Sequence, residues 1–148
     1  MVKNYINFRN LLRNKYLSFI GGYKKPSNEI HLLNGHYVEE VLNKSSKINF
    51  YNFLLKLKKN FSFLDFDIAC NEILKGSKVD KPHIAFSFDD AFLECYDIIY
   101  PVLEDFGIKA AFFINPHVIN LKEDYKQRFI YENLKIKLYK NFMNWEQI

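Results

Sequence analysis

The hydrophobic pattern along this chain changes period several times, and its sharpest change falls between His83 and Pro116. Ile84-Ala85-Phe86-Ser87-Phe88 is a short apolar run bounded upstream by Lys81-Pro82. Such a run predicts a strand buried on both faces, as parallel strands are. Phe92, Cys95, Tyr96, Ile99, Val102, Leu103 and Phe106 then recur at helical spacing, and Gly107 stands where a helix would stop. A second apolar run, Ala110-Ala111-Phe112-Phe113-Ile114, predicts another short strand. Strand, helix and strand within about 30 residues form a βαβ unit, parallel and right-handed.

The upstream pattern is more helical. Tyr5 to Ile20 carry a helical stripe ended by Gly21-Gly22, and Glu29 to Leu33 predict a short strand before the turn signal Asn34-Gly35. A helix is expected over 49–60, with Asn49 as N-cap, Ile48 stapled to Phe53, and Phe50, Phe53, Leu54 and Leu57 inward. Residues 62–64 suggest a short strand. Asp65 is expected to cap a further helix that turns Phe66, Cys70, Ile73 and Leu74 inward and stops at Gly76. A charged helix is expected over 122–140, with Tyr125, Phe129, Ile130, Leu134 and Leu138 as its seam. Asn144-Trp145-Glu146-Gln147 spells a capping box at the chain's end.

The central strand ends on two adjacent carboxylates, Asp89 and Asp90. In βαβ units chemistry collects where a strand's carboxyl end meets the next loop. Neighbouring side chains there point in different directions, so one carboxylate can face a metal and the other a water or substrate. Crowding two carboxylates also raises one pKa unless a cation lies between them. The plainer alternative is helix capping, which Asp performs well at the positive end of the dipole.

Composition narrows the choices. The 148 residues are 49% hydrophobic, 26% charged and 18% aromatic, a globular profile of one domain's length. No run approaches the ~20 apolar residues of a membrane span, and the N-terminus lacks a signal peptide's apolar core. A cytoplasmic location is the default expectation. Cys70 and Cys95 fall on apolar stripes and are expected as buried thiols rather than a disulfide. The net charge of +4 comes from lysines spread over helices, and no nucleic-acid recognition motif accompanies them.

Ser87-Phe88-Asp89-Asp90-Ala91, followed by Tyr100-Pro101-Val102-Leu103 and by Gly107-Ile108-Lys109-Ala110-Ala111-Phe112-Phe113, resembles the first motif of the polysaccharide deacetylases, the NodB-homology fold of carbohydrate esterase family 4. The resemblance implies an α/β fold, an incomplete distorted (β/α) barrel of parallel strands with helices outside. It divides the chain into an N-terminal helical region with a short strand, 1–80, and the start of the deacetylase domain, 81–148, truncated at its C-terminus. It makes Asp89 the general base, Asp90 a metal ligand and His36 a candidate substrate contact. It also implies a divalent metal, zinc or similar, and an acetylated carbohydrate substrate. Ala91 stands where the motif usually has Gly, a strained choice if that position needs φ > 0. The His-x-x-x-His that completes the family's metal site is absent from the sequence. The expectation is therefore a chain that does not retain the metal and is inactive alone. His117 is a further loop histidine on the same face.

Two other function classes compete. One is a non-catalytic binding module with a basic helical face, in which the Asp pair only caps a helix. The other is a Mg²⁺-dependent receiver or phosphotransferase, disfavoured because 110–114 offers no phosphate-contacting Lys or Thr. Glycan identity, metal identity and oligomeric state are not encoded in these motifs.

Overall fold

The computed structural model describes residues 25–38, 46–134 and 141–148. The helix expected between Tyr5 and Ile20 lies outside them, as do residues 135–140. The order of elements is β1 (Ile30–Gly35), α1 (Ser46–Leu57), β2 (Ser62–Phe63), α2 (Phe66–Leu74), β3 (His83–Phe88), a π-helical stretch (Cys95–Ile99) continuing into α3 (Tyr100–Asp105), β4 (Ala111–Phe112), α4 (Pro116–Ile119), α5 (Glu123–Glu132) and a 3-10 turn (Trp145–Gln147).

β3 is the hub of an open parallel sheet. β1 pairs along its whole length, from Ile30 opposite His83 to Gly35 opposite Phe88. On the other edge β2 meets His83 and Ile84, and β4 meets Ser87 and Phe88. All these pairings are parallel, as the run of buried apolar residues in β3 requires. β1 and β2 precede residue 80 and β3 follows it, so one sheet runs across that point.

The main core lies where Ile84, Phe86 and Phe88 of β3 meet Phe50 and Leu54 of α1 and Cys95, Ile99, Val102 and Leu103 of the long helix. Strand alternation puts those three β3 residues on one face and Ala85 and Ser87 on the other. Full burial of side chains such as Phe86 and Leu103 is worth about 1.5–3 kcal/mol each. A second cluster joins Phe92, Val118, Ile130 and Phe142.

Several local expectations hold. α3 ends in a Schellman arrangement: Gly107 has φ 66°, its N–H donates to the Glu104 carbonyl, and the Ile108 N–H donates to that of Leu103. Asn144 forms its capping box, accepting from the backbone of Glu146 and Gln147 while the Gln147 side chain accepts from the Asn144 N–H. Both cysteines are free thiols, Cys95 buried as expected but Cys70 only partly so.

Other expectations are corrected. α1 begins at Ser46, so Asn49 sits inside it rather than capping it, and Ile48 and Phe53 are both exposed instead of forming a staple. Asp65 occupies the N-cap position of α2, but its carboxylate accepts from the Lys109 backbone N–H at 3.0 Å and makes no cap bond. α2 buries Ala69 and leaves Ile73 and Leu74 exposed. Tyr96 also lies out of the core, because the wider π turn before Pro101 rotates it off the stripe. Pro101 accounts for that turn: its ring excludes the carbonyl four residues back, and the Tyr100 N–H reaches the Cys95 carbonyl instead. α5 stops at Glu132, where the Asn133 side chain turns back onto the Phe129 carbonyl.

Candidate active site

β3 delivers Asp89 and Asp90 to its carboxyl-terminal end. The ladder continues one step beyond the strand, since the Asp89 N–H donates to the Gly35 carbonyl at 2.9 Å. The chain then turns sharply through two left-handed residues, Asp90 at φ 69° and Ala91 at φ 54°. The positive φ asked of Ala91 is therefore present, at a cost of about 1–2 kcal/mol for a residue with a β-carbon. Its carbonyl accepts from the Met143 N–H at 2.9 Å, and the Leu93 N–H donates to the Asn141 carbonyl at 2.8 Å. Phe92 stacks on Phe142 with ring centroids 4.9 Å apart. The acidic turn is thus clasped from below by residues 141–143.

The two carboxylates do not cap the helix that follows. Among the described residues neither accepts from a backbone N–H. Asp89 instead accepts from the Asn34 side-chain amide, Nδ2 to Oδ2 at 2.9 Å. His36 stands between the two, its Nε2 4.0 Å from Asp89 Oδ2 and 3.9 Å from Asp90 Oδ2. The side chains of Asp89 and His36 are 34% and 52% exposed, so solvent or substrate reaches both, while Asp90 is only 19% exposed. Burial pushes the Asp90 carboxyl above its ordinary value; His36 opposes that shift and Asp89 adds to it.

The structure thus brings together Asp89, Asp90 and His36, the three residues picked out in the sequence, and adds Asn34. Asn34-Gly35 reads as a turn by composition, but β1 runs through both residues. The available signal was the β-run preceding it, whose carboxyl end must lie beside that of β3 in a parallel sheet. His117 does not join the group; it sits exposed on the short helix α4.

A metal centre needs more donors than these. Catalytic zinc takes about three protein ligands. Among the described residues no group of three or more His, Cys, Asp or Glu is placed to hold a metal ion. The four histidines of the chain are at positions 31, 36, 83 and 117. His31 contacts the Ser27 carbonyl and Phe61, and His83 contacts the Lys81 carbonyl, both at the opposite end of the strands. Among the described residues the donors do not make up a complete metal site.

Known proteins resemble this chain in a stretch of sequence and in fold. Residues 76–137 match the polysaccharide deacetylase family model, a span covering β3, the acidic turn, α3 and β4. The fold resembles that of IcaB from Ammonifex degensii, 19% identical, with a TM-score of 0.60 over 82% of this chain and 47% of that one. This is a NodB-type fold. The de-N-acetylase from Aggregatibacter actinomycetemcomitans is 17% identical, with a TM-score of 0.51 over 80% of this chain and 48% of that one. The deacetylase domain of BpsB from Bordetella bronchiseptica is 14% identical, with a TM-score of 0.50 over 84% and 50%. The NodB-type segment therefore spans about half the length of each solved structure it matches. No curated protein matches it in sequence. No helix among its described residues is long and apolar enough to cross a membrane.

Proposed function

We propose that this NodB-type segment serves the hydrolytic removal of N- or O-linked acetyl groups from a carbohydrate. The observation that carries the reading is the placement of Asp89 and Asp90. They stand side by side at the carboxyl end of the central parallel strand, not engaged in capping, with His36 Nε2 about equally far from both. In the reaction a water molecule adds to the acetyl carbonyl, and the bond to the sugar nitrogen or oxygen then breaks. Acetate and a free amine or hydroxyl are released.

Asp89 accepts the proton of the attacking water. One of its oxygens is held by Asn34, and its side chain is partly open to solvent. His36 is exposed on the same mouth and contacts the substrate through its imidazole. Asp90 is the candidate ligand for a divalent cation, which in such chemistry polarises the carbonyl. The remaining donors are not among the described residues, so no step is assigned through the cation, and the 148-residue polypeptide alone is expected not to turn over.

Titration of isotope-labelled protein with N-acetylglucosamine oligomers and with their deacetylated counterparts tests the reading. Acetylated oligomers are expected to shift the signals of Asn34, His36, Asp89 and Asp90, and deacetylated ones to leave them in place. Shifts confined to the basic residues of α1 or α5 would instead support a binding module. The α5 cation Arg128 is engaged with Glu132 at 2.8 Å, which weakens that second reading.

A further inference from the structure

We propose that Asn34 is a positioning residue for Asp89, fixing the carboxylate in the orientation a base at this site requires. The inference depends on the deacetylase reading only in calling Asp89 a base; the orientation itself follows from the sheet. Parallel register places Asn34 opposite Ser87. Alternation along β3 then sends Ser87 and the residue two further on, Asp89, to the same side as Asn34. The amide arm of Asn34 spans that diagonal and places Nδ2 2.9 Å from Asp89 Oδ2.

Two constraints now act on one aspartate. The Asp89 backbone is held by the Gly35 carbonyl, and one carboxylate oxygen is held by the neighbouring residue of the same strand. A side chain anchored at both ends is restricted to one rotamer, whereas an unsupported carboxylate at a solvated strand end samples several. The bond is charge-assisted, with a neutral donor to an ionised acceptor. Pre-set orientation of a base is worth more to a reaction than the same contact is to stability, because the misaligned rotamers are unproductive. Asn suits this position: its amide donates without adding charge beside Asp90 and His36.

Three-bond Hα–Hβ couplings of Asp89, measured in the wild type and in Asn34→Ala, test the proposal. The wild type is expected to show one large and one small coupling or two small ones, the signature of a single rotamer. Asn34→Ala is expected to collapse them toward averaged values while backbone amide shifts across β3 stay in place. Unchanged couplings in a folded Asn34→Ala overturn the proposal. Should that variant not fold, the side-chain amide of Asn34 is followed in Asp89→Ala. Its downfield, exchange-protected proton is expected to be lost there and kept in Asp90→Ala; indifference to Asp89→Ala overturns the proposal equally. If these outcomes hold but acetylated oligomers shift nothing, the deacetylase reading falls and the orientation of Asp89 by Asn34 stands.

Discussion

A β-carbon added to Gly35 would lie 3.1 Å from Cε1 and 3.2 Å from Cδ1 of Phe88, closer than side chains normally approach. To give way, the Phe88 ring would have to disturb its stack on Phe112 at 5.5 Å and its edge contact with Phe50 at 6.2 Å. Gly35→Ala is therefore expected to destabilise the fold by about 1–3 kcal/mol, as overpacking does. Denaturant unfolding measures the loss. The same variant is expected to disturb the signals of Asn34 and His36, because Gly35 lies between them at the end of the strand that leads both to the carboxylates.

Asp90→Asn is expected to hold or raise stability at neutral pH. Burial raises the Asp90 pKa above 3.8 in the folded protein, so the native state binds the proton more tightly than the unfolded chain. That contribution is complete below 3.8 and is lost as pH rises through the folded value, leaving a half-buried charge at neutral pH. Asn carries no such charge and, like Asp, tolerates the left-handed backbone at this position. Thermal unfolding of the two proteins across pH checks this: the advantage of the variant appears only above the acidic range and vanishes below about pH 3.8.

The Cys95 thiol is pushed up to about 12, chiefly by burial, with the Glu94 and Asp90 charges adding to the effect. Thiolates are the reactive species, so Cys95 is expected to resist alkylation at pH 8 in the folded protein. Cys70 is only partly buried and is expected to react first. Mass mapping of iodoacetamide-labelled peptides distinguishes the two, and equal labelling of both under native conditions would contradict the packing described for the long helix.

Zinc added to the purified 148-residue polypeptide is expected to show no tight stoichiometric binding by calorimetry, and acetate release from N-acetylglucosamine oligomers is expected to be absent. The argument is the donor set: Asp89 is engaged by Asn34, and among the described residues no group of three His, Cys, Asp or Glu is placed to supply the three protein ligands such a site requires. Tight one-to-one binding that is abolished by Asp90→Ala would show that donors outside the described residues complete the site.

The sequence was most legible where one signal had one physical meaning. A doubly buried strand, β3, must read as an unbroken apolar run, and the Asp89-Asp90 pair follows from where that run ends. Gly107 and the Asn144 box were equally plain, because few residues serve those ends. Asn34 was hidden, since Asn-Gly is a turn signal in isolation and only full pairing of β1 with β3 keeps it extended. Asn49 misled for a related reason: capping residues also occur inside helices, and Ser46 had already begun α1. The inward faces assigned to Ile73, Leu74 and Tyr96 failed because periodicity identifies an apolar stripe without saying how far its neighbours extend to cover it. The carboxylate geometry depended on a cross-strand amide and a histidine more than fifty residues upstream, a relationship that only tertiary pairing creates.

The clasp beneath the acidic turn makes the position of that turn a property of a distant stretch of chain. Ala91 and Leu93 are each tied to a residue about fifty positions later, and the Phe92 and Phe142 rings lie flat against each other between those ties. A shear of residues 141–143 would accordingly be transmitted to Asp90 through backbone alone, without any side chain near the cleft having to change. The carboxylate doublet and the segment around Phe142 are thus held to each other by two backbone hydrogen bonds and one ring stack.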